Sequence, residues 1–381
     1  MAAEHQVAGV VEALERRPEG LIVRFHGVPE PVTVPWRWVR DHGEDAASLD
    51  PATAQRLVDT FAIPADLAPS SAELAGATIR VTWAGDGAPP SVLSVARLAE
   101  AAGLLPLAGP GLWSADAPLP DGPPWFSHEA VSTDDRALLA WLEAIERLGF
   151  ALVRGMPPTA EAAEALARRI GYPRATIFGP AMWTLSSAVA DHEDSAYSTT
   201  FLEPHTDGTY TLDAPGLQLF ACLERAGTGG DSILVDGFAA AERVRAVDPE
   251  AFALLSWVEV PSQYLEPGVH LRACRPVLRT NRGGRLLQVS FNNYDRAPFL
   301  LPPDEMERWY DAYIRLHAEV NDRRHWLTVG LEPGQVLVID NWRILHGRMG
   351  YTGTRVFEGC YHNREDLDSR LRVLRSASAG G

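Results

Sequence analysis

The apolar residues in the second half of this chain come in short runs, and that constrains the fold more than any other feature. GLQLFACL, SILVDG, RLLQVSF, QVLVID and RVFEGCY are rich in Val, Leu, Ile and Phe and are bounded by turn-forming residues, the pattern of strands buried in a sandwich or barrel. Segments of helical period are few: about Ser132–Leu148, capped by STDD, then Ala160–Ile170, Gly237–Val244 and Pro303–Glu319. Strands and helices do not alternate as in a βαβ unit, so a dinucleotide-binding sheet is not expected. The predicted class is mainly β with covering helices, a β-sandwich or jelly roll.

The 381 residues suffice for about two domains. From about Gln6 to Leu98 the pattern is again short strand-like pieces, among them LIVRF, PVTVPW and ATIRVTW, separated by Gly, Pro and Asp. This predicts a small β-rich N-terminal domain over residues 1–105. The run PLAGPGLWSADAPLPDGPP is dense in Pro and Gly, so residues 106–124 are expected to be a linker, with the larger strand-rich domain over 125–381.

Charge and composition then remove whole classes of function. The net charge is −16 with no basic run, which argues against nucleic acid or anionic membrane as a partner. The chain contains no lysine, so Schiff-base chemistry is excluded and any anion must be held by arginine. Cys222, Cys274 and Cys360 are widely spaced, leaving no all-thiolate metal site and fitting a reducing compartment. Glu4, Glu12 and Glu15 interrupt the N-terminal segment, and no later run is apolar over membrane-spanning length. A cytoplasmic protein is the expectation.

The sharpest motif is EPHTDGTY, with His205 and Asp207, followed far along the chain by DNWRILHGR with His346. Residues two apart on a strand project from one face, so His205 and Asp207 can both reach one metal ion from the edge of a strand or from its following loop. A third imidazole from a distant strand completes the set. Two imidazoles and one carboxylate on one face of an octahedron suit a non-haem Fe(II) oxygenase, which keeps three positions for a chelating cosubstrate and O2.

Beyond this motif the chain resembles a known family. TIFGPAMW, DSAYSTTFLEPHTDGTY, GTGGDSILVDGF, FNNYDRA, IDNWRILHGR and YTGTRVFEGCY occur in order between about Trp125 and Leu374. Together they resemble the gamma-butyrobetaine hydroxylase and trimethyllysine dioxygenase family of the taurine dioxygenase superfamily, with FNNYDRA and GCY closer to the trimethyllysine branch. The resemblance implies a double-stranded β-helix (jelly roll) with Fe(II) on His205, Asp207 and His346, 2-oxoglutarate as cosubstrate and O2 as oxidant. It places Arg355 on the distal carboxylate of 2-oxoglutarate, where a guanidinium can pair bidentately, with Ser232 assisting. It also implies a homodimer.

For the substrate, the resemblance puts Phe178, Trp183, Tyr197 and Tyr361 in an aromatic cage for a trimethylammonium group. Phe178 stands where Tyr is common, and the loop to Trp183 is one residue longer. Asp194 stands where butyrobetaine hydroxylases carry Asn, which favours an ammonium over a carboxylate at that point. Asn292 is the expected second polar contact. The predicted reaction is hydroxylation of an unactivated C–H of a cationic, trimethyllysine-like amino acid, with release of succinate and CO2. Butyrobetaine-type or phosphonate-type hydroxylation, a tailoring hydroxylase or desaturase of a free amino acid, and a metal-free cation-binding module are the alternatives. The segment WRWVRDHGEDAASLDPATAQR resembles the family's accessory domain, but Gly43 replaces an expected zinc-binding Cys. Zinc is therefore expected to be absent, with Trp36, Trp38 and Trp83 packing in its stead.

Overall fold

The computed structural model describes residues 10–85, 88–104, 109–114, 117–186 and 198–379. The chain forms two compact units, Met1–Ala108 and Gly109–Gly381.

In the first unit, β1 (Val11–Arg17), β2 (Gly20–Phe25) and β3 (Val32–Pro35) make one antiparallel sheet, followed by helix α1 (Trp36–Asp41). A second sheet holds β4 (Pro69–Ala75), β5 (Thr78–Trp83) and β6 (Ser91–Ser94), and α2 (Val95–Ala101) follows with Ser94 as its N-cap. Alternation supplies the shared core of Leu21, Val23, Phe25, Ile79, Val81 and Leu93. Trp36 and Trp83 meet edge to face at 6.2 Å, and each indole N–H is used, on Arg17 O and Ser91 Oγ. Trp38 instead stacks on His42 at 4.2 Å. Gly43 is tight for a steric reason: a Cβ there would lie 2.8 Å from Asp45 Oδ2 and 2.9 Å from Ser48 Oγ.

The second unit opens with β7 (Trp125–Ser127), α3 (His128–Thr133), α4 (Asp135–Leu148) and β8 (Phe150–Arg154). The single helix expected over Ser132–Leu148 is thus two. Asp134 breaks it with extended φ/ψ and caps α4 by accepting the N–H of Arg136. Helix α4 buries Leu138, Trp141, Leu142, Ile145 and Leu148, and ends at left-handed Gly149. Then come α5 (Ala160–Ile170), β9 (Trp183–Ser186), β10 (Leu202–His205), β11 (Leu217–Gly229), β12 (Ser232–Asp236), α6 (Gly237–Val247) and α7 (Pro249–Trp257). Two hairpins follow, β13 (Glu259–Glu266) with β14 (Val269–Pro276) and β15 (Leu278–Thr280) with β16 (Leu286–Val289). The chain continues through α8 (Pro303–Asn321), β17 (Leu327–Val329), β18 (Val336–Asp340), β19 (Ile344–Arg348), β20 (Tyr351–His362) and α9 (Arg364–Ala379).

Ten of these strands form the double-stranded β-helix. One sheet runs β7-β8-β18-β11-β20-β9 and the other β10-β19-β12-β17. Their inner faces share a core of Leu152, Cys222, Leu234, Leu337, Ile344 and Phe357. The outer face of the larger sheet, with Leu219, Val336 and Val338, is covered by side chains of α4, α5 and α9. The outer face of the smaller sheet, with Ile233, Val235 and Leu345, is covered from α6, α7 and α8. Helices α7 and α9 lie outside the sequence expectation. In PEAFALLSW only Ala251, Phe252, Leu254 and Leu255 are buried, on one face, but apolar Ala253 and exposed Trp257 occupy the other, so the sequence shows no amphipathic stripe.

The Pro/Gly-rich segment also departs from its expected role as a bare linker. Trp113 is buried among Leu148, Phe150 and Leu234, and its indole N–H donates to Leu148 O at 2.7 Å. Its backbone N–H donates to Asp236 Oδ2 at 3.1 Å. Asp236 pairs bidentately with Arg343, with both side chains essentially inaccessible. Arg343 also donates to the carbonyls of Arg147 and Gly111. A buried ion pair is tolerable when its remaining hydrogen-bonding capacity is met in this way.

Candidate metal centre and its cavity

His205 is the last residue of β10, and its antiparallel partner in β19 is His346. Strand pairing therefore joins two imidazoles from distant parts of the chain, with ring centroids 4.6 Å apart. Asp207 lies just beyond β10. One ligand atom from each of the three residues falls within 4.8 Å of the others. His205 Nε2 is 3.3 Å from Asp207 Oδ1, and His346 Nε2 is 3.7 Å from Oδ2.

The surroundings fix these groups. His205 Nδ1 lies 2.8 Å from Glu203 O; a carbonyl only accepts, so Nδ1 carries the proton and Nε2 presents its lone pair. The Asp207 backbone is clamped by buried Asn341, whose Oδ1 accepts the Asp207 N–H at 2.8 Å and whose Nδ2 donates to Asp207 O at 3.0 Å and Pro215 O at 2.9 Å. Tyr361 donates its hydroxyl to Asp207 Oδ2 at 2.8 Å. Burial works to raise the Asp207 carboxyl, yet the two imidazoles and the Tyr361 hydroxyl hold it well below the ordinary carboxylate range. Burial pushes His346 down to about 4. Burial also opposes charge on His205, but there the bond to Asp207 wins and raises it. An ionised carboxylate and a neutral imidazole are the forms that coordinate metal. Two imidazoles and one carboxylate are a donor set that fits a ferrous ion.

The trio opens into a cavity that Ser232, Arg355, Phe178, Trp183, Asn292 and Tyr361 also line. Asp194 and Tyr197 lie outside the described residues. Arg355 is buried with its Cζ 3.8 Å above the Phe357 ring, and no carboxylate among the described residues pairs with it. Burial, then the neighbouring Arg348, lowers it to about 10, so it remains a cation at neutral pH. Arg348 lines the same cavity and donates to Ser198 O and Thr200 O, while the Arg355 guanidinium suits the carboxylate of an anion.

Tyr361 serves the metal centre through its hydroxyl and the cavity through its ring. Asn292 is equally divided: it lines the cavity, donates to Asp295 Oδ2 at 2.8 Å and accepts the Tyr294 N–H at 3.0 Å.

Sequence reasoning passed over several cavity residues. Arg348 stands two positions after His346 on β19, so strand alternation alone puts both on one face. Asp295, also accepting from Thr209 Oγ at 3.0 Å, adds a carboxylate close enough to act on the charge of His205. It sat unread inside FNNYDRA. Tyr210, Gln218 and Tyr294 carried no distinguishing signal.

Comparison with known proteins agrees with this geometry. A family model described as "Taurine catabolism dioxygenase TauD, TfdA family" matches residues 116–361. The mitochondrial trimethyllysine dioxygenase of Rattus norvegicus is 36% identical over 349 residues, covering 88% of this chain and 82% of its own. Trimethyllysine dioxygenase of Neurospora crassa is 32% identical over 381 residues, covering 88% and 79%. Gamma-butyrobetaine dioxygenase of Pseudomonas sp. (strain AK-1) is 37% identical over 257 residues, covering 66% of each chain. Matches of this length, running through the very strands that carry the donor trio, make the chain a member of the TauD/TfdA family, an Fe(II)- and 2-oxoglutarate-dependent dioxygenase.

Proposed function

We propose that this dioxygenase hydroxylates an unactivated C–H of a cationic amino acid bearing a trimethylammonium group, with trimethyllysine as the reference substrate. The observation that carries the reading is the meeting of acidic, aromatic and guanidinium side chains in one cavity around the donor trio. The names of the relatives, trimethyllysine dioxygenase foremost, support it.

In this reading His205, Asp207 and His346 hold Fe(II). Arg355, assisted by Ser232, receives the distal carboxylate of 2-oxoglutarate. When bound, iron and cosubstrate supply the oxidising power, converting 2-oxoglutarate and O2 to succinate and CO2 as the substrate gains a hydroxyl. The chain contributes position. Glu203 O and the Tyr361 hydroxyl keep two donors aimed, and the buried guanidinium orients the cosubstrate. Ring faces of Phe178, Trp183 and Tyr361 attract a quaternary ammonium, which has no N–H to donate. Tyr197, from the same sequence motif, and Asp194 belong to this reading as well. Asn292 and Asp295 supply polar contacts suited to a primary ammonium.

The test is a succinate-release screen with trimethyllysine, butyrobetaine, lysine, arginine and trimethylammonium phosphonates. Turnover coupled to trimethyllysine supports the reading; coupling only to an unmethylated amino acid overturns the trimethylammonium assignment. A butyrobetaine-type activity draws on the Pseudomonas relative, and coupling to butyrobetaine alone would select it. The reading extends to an accessory role without zinc for the N-terminal unit, which stoichiometric zinc in elemental analysis would contradict. It also includes a homodimer, checked by light scattering, and a cytoplasmic location, checked by cell fractionation; the three free cysteines fit a reducing compartment.

A further inference from the structure

Strand β20 alternates its side chains, so Arg355, Phe357, Gly359 and Tyr361 share one face. Arg355 and Tyr361 line the cavity, and Phe357 lies under the Arg355 guanidinium. Gly359 leaves that face bare between them. Its cross-strand partners are both aromatic: Trp183 on β9 and Phe220 on β11. The Trp183 indole fills the gap. An ideal Cβ at Gly359 would fall 2.1 Å from indole Cη2, 2.3 Å from Cζ3 and 2.6 Å from Cζ2, which no relaxation of a rigid ring can absorb in place.

From this seat the indole meets Tyr361 at 5.5 Å and Phe220 at 5.9 Å between ring centroids, and Phe220 in turn lies 5.5 Å from the His346 ring. The indole N–H is buried without a partner among the described residues, so shape alone positions the ring. A side chain at 359 would stand on the cavity-facing side of the strand. It would lift the indole off β20 into the space beside the metal donors.

We propose that Gly359 is a specificity-determining position: by carrying no side chain it lets Trp183 lie flat on β20, and so sets the width of the substrate cavity. The glycine touches no reacting group and acts through the indole.

The experiment is a double-mutant cycle of G359A and W183F, read by thermal unfolding of the iron-free protein and by the KM for trimethyllysine in succinate release. In the parent background G359A should lower the Tm by roughly 5 °C and raise KM about tenfold, with the larger effect on KM than on kcat. In the W183F background, where the outer ring atoms are gone, the same substitution should change either value by less than about twofold or 2 °C. If G359A does not fold, W183F/G359A should. Parent-like Tm and KM in G359A, or equal losses in both backgrounds, would overturn the proposal. The KM arm rests on the trimethylammonium reading; if the parent protein ignores trimethyllysine, that reading fails while the unfolding cycle still decides the role of Gly359.

Discussion

The two sides of the cavity are built on different principles. At the metal side, donors are held by directed bonds: His205 by Glu203 O, and Asp207 by two bonds from Asn341 and one from Tyr361. At the aromatic side, Trp183 is held by the absence of a side chain at Gly359 and by ring contacts. In the function proposed above, the difference follows from what each side would receive. A metal ion demands donor atoms at fixed distances and angles, so its ligands need rigid mountings. A quaternary ammonium over ring faces accepts a wider range of geometries, so close packing is enough.

The comparison can be broken most severely at the donors. His205→Ala or Asp207→Ala should abolish turnover together with the weak visible band of the anaerobic Fe(II)–2-oxoglutarate complex; an Asp207→Ala protein that keeps both would remove the metal centre from the account. Next comes Asn341→Ala, which deletes the backbone clamp and no ligand. Fe(II) affinity measured by titration should fall about 10- to 100-fold, and parent-like affinity would show that directed mounting is dispensable. Asp295→Asn keeps the acceptor for Thr209 and Asn292 and removes the charge. The KM for trimethyllysine should rise about tenfold, with the Fe(II)–2-oxoglutarate band intact. An equal rise for an analogue lacking the α-ammonium would assign Asp295 to general field effects. The smallest change is Tyr361→Phe, which keeps the ring and removes one charge-assisted hydrogen bond; a loss of about tenfold in Fe(II) affinity is expected, and a change confined to substrate KM would place Tyr361 wholly on the aromatic side.

The same division explains what could be read from the sequence. His205, Asp207 and His346 were visible because coordination chemistry admits few residue types and because His205 and Asp207 stand two apart at the end of a strand and in its following loop. The jelly roll was visible in runs such as SILVDG and QVLVID because both faces of those strands are buried. Arg355 carried no mark of its own and was reached through family resemblance. Arg348 was legible from strand alternation with His346 but passed over, whereas Asp295 was hidden, since charged residues beside a motif are common and only the fold turns it inward. Gly359 could not be identified, because its meaning depends on the register of three strands brought together from separate parts of the chain. The break at Asp134 was missed because capping overrides periodicity, and helix α7 because apolar residues also occupy its exposed face.

The Asp236–Arg343 pair has a practical consequence for anyone cutting this protein into parts. Gly111 and Trp113, in a stretch that looks dispensable, supply two of the groups that keep that pair satisfied. An amputation at Pro124 would leave a guanidinium and a carboxylate facing missing neighbours, and that carboxylate, Asp236, is also the N-cap of α6. A truncated enzyme that retains its jelly roll should therefore begin upstream of Gly111.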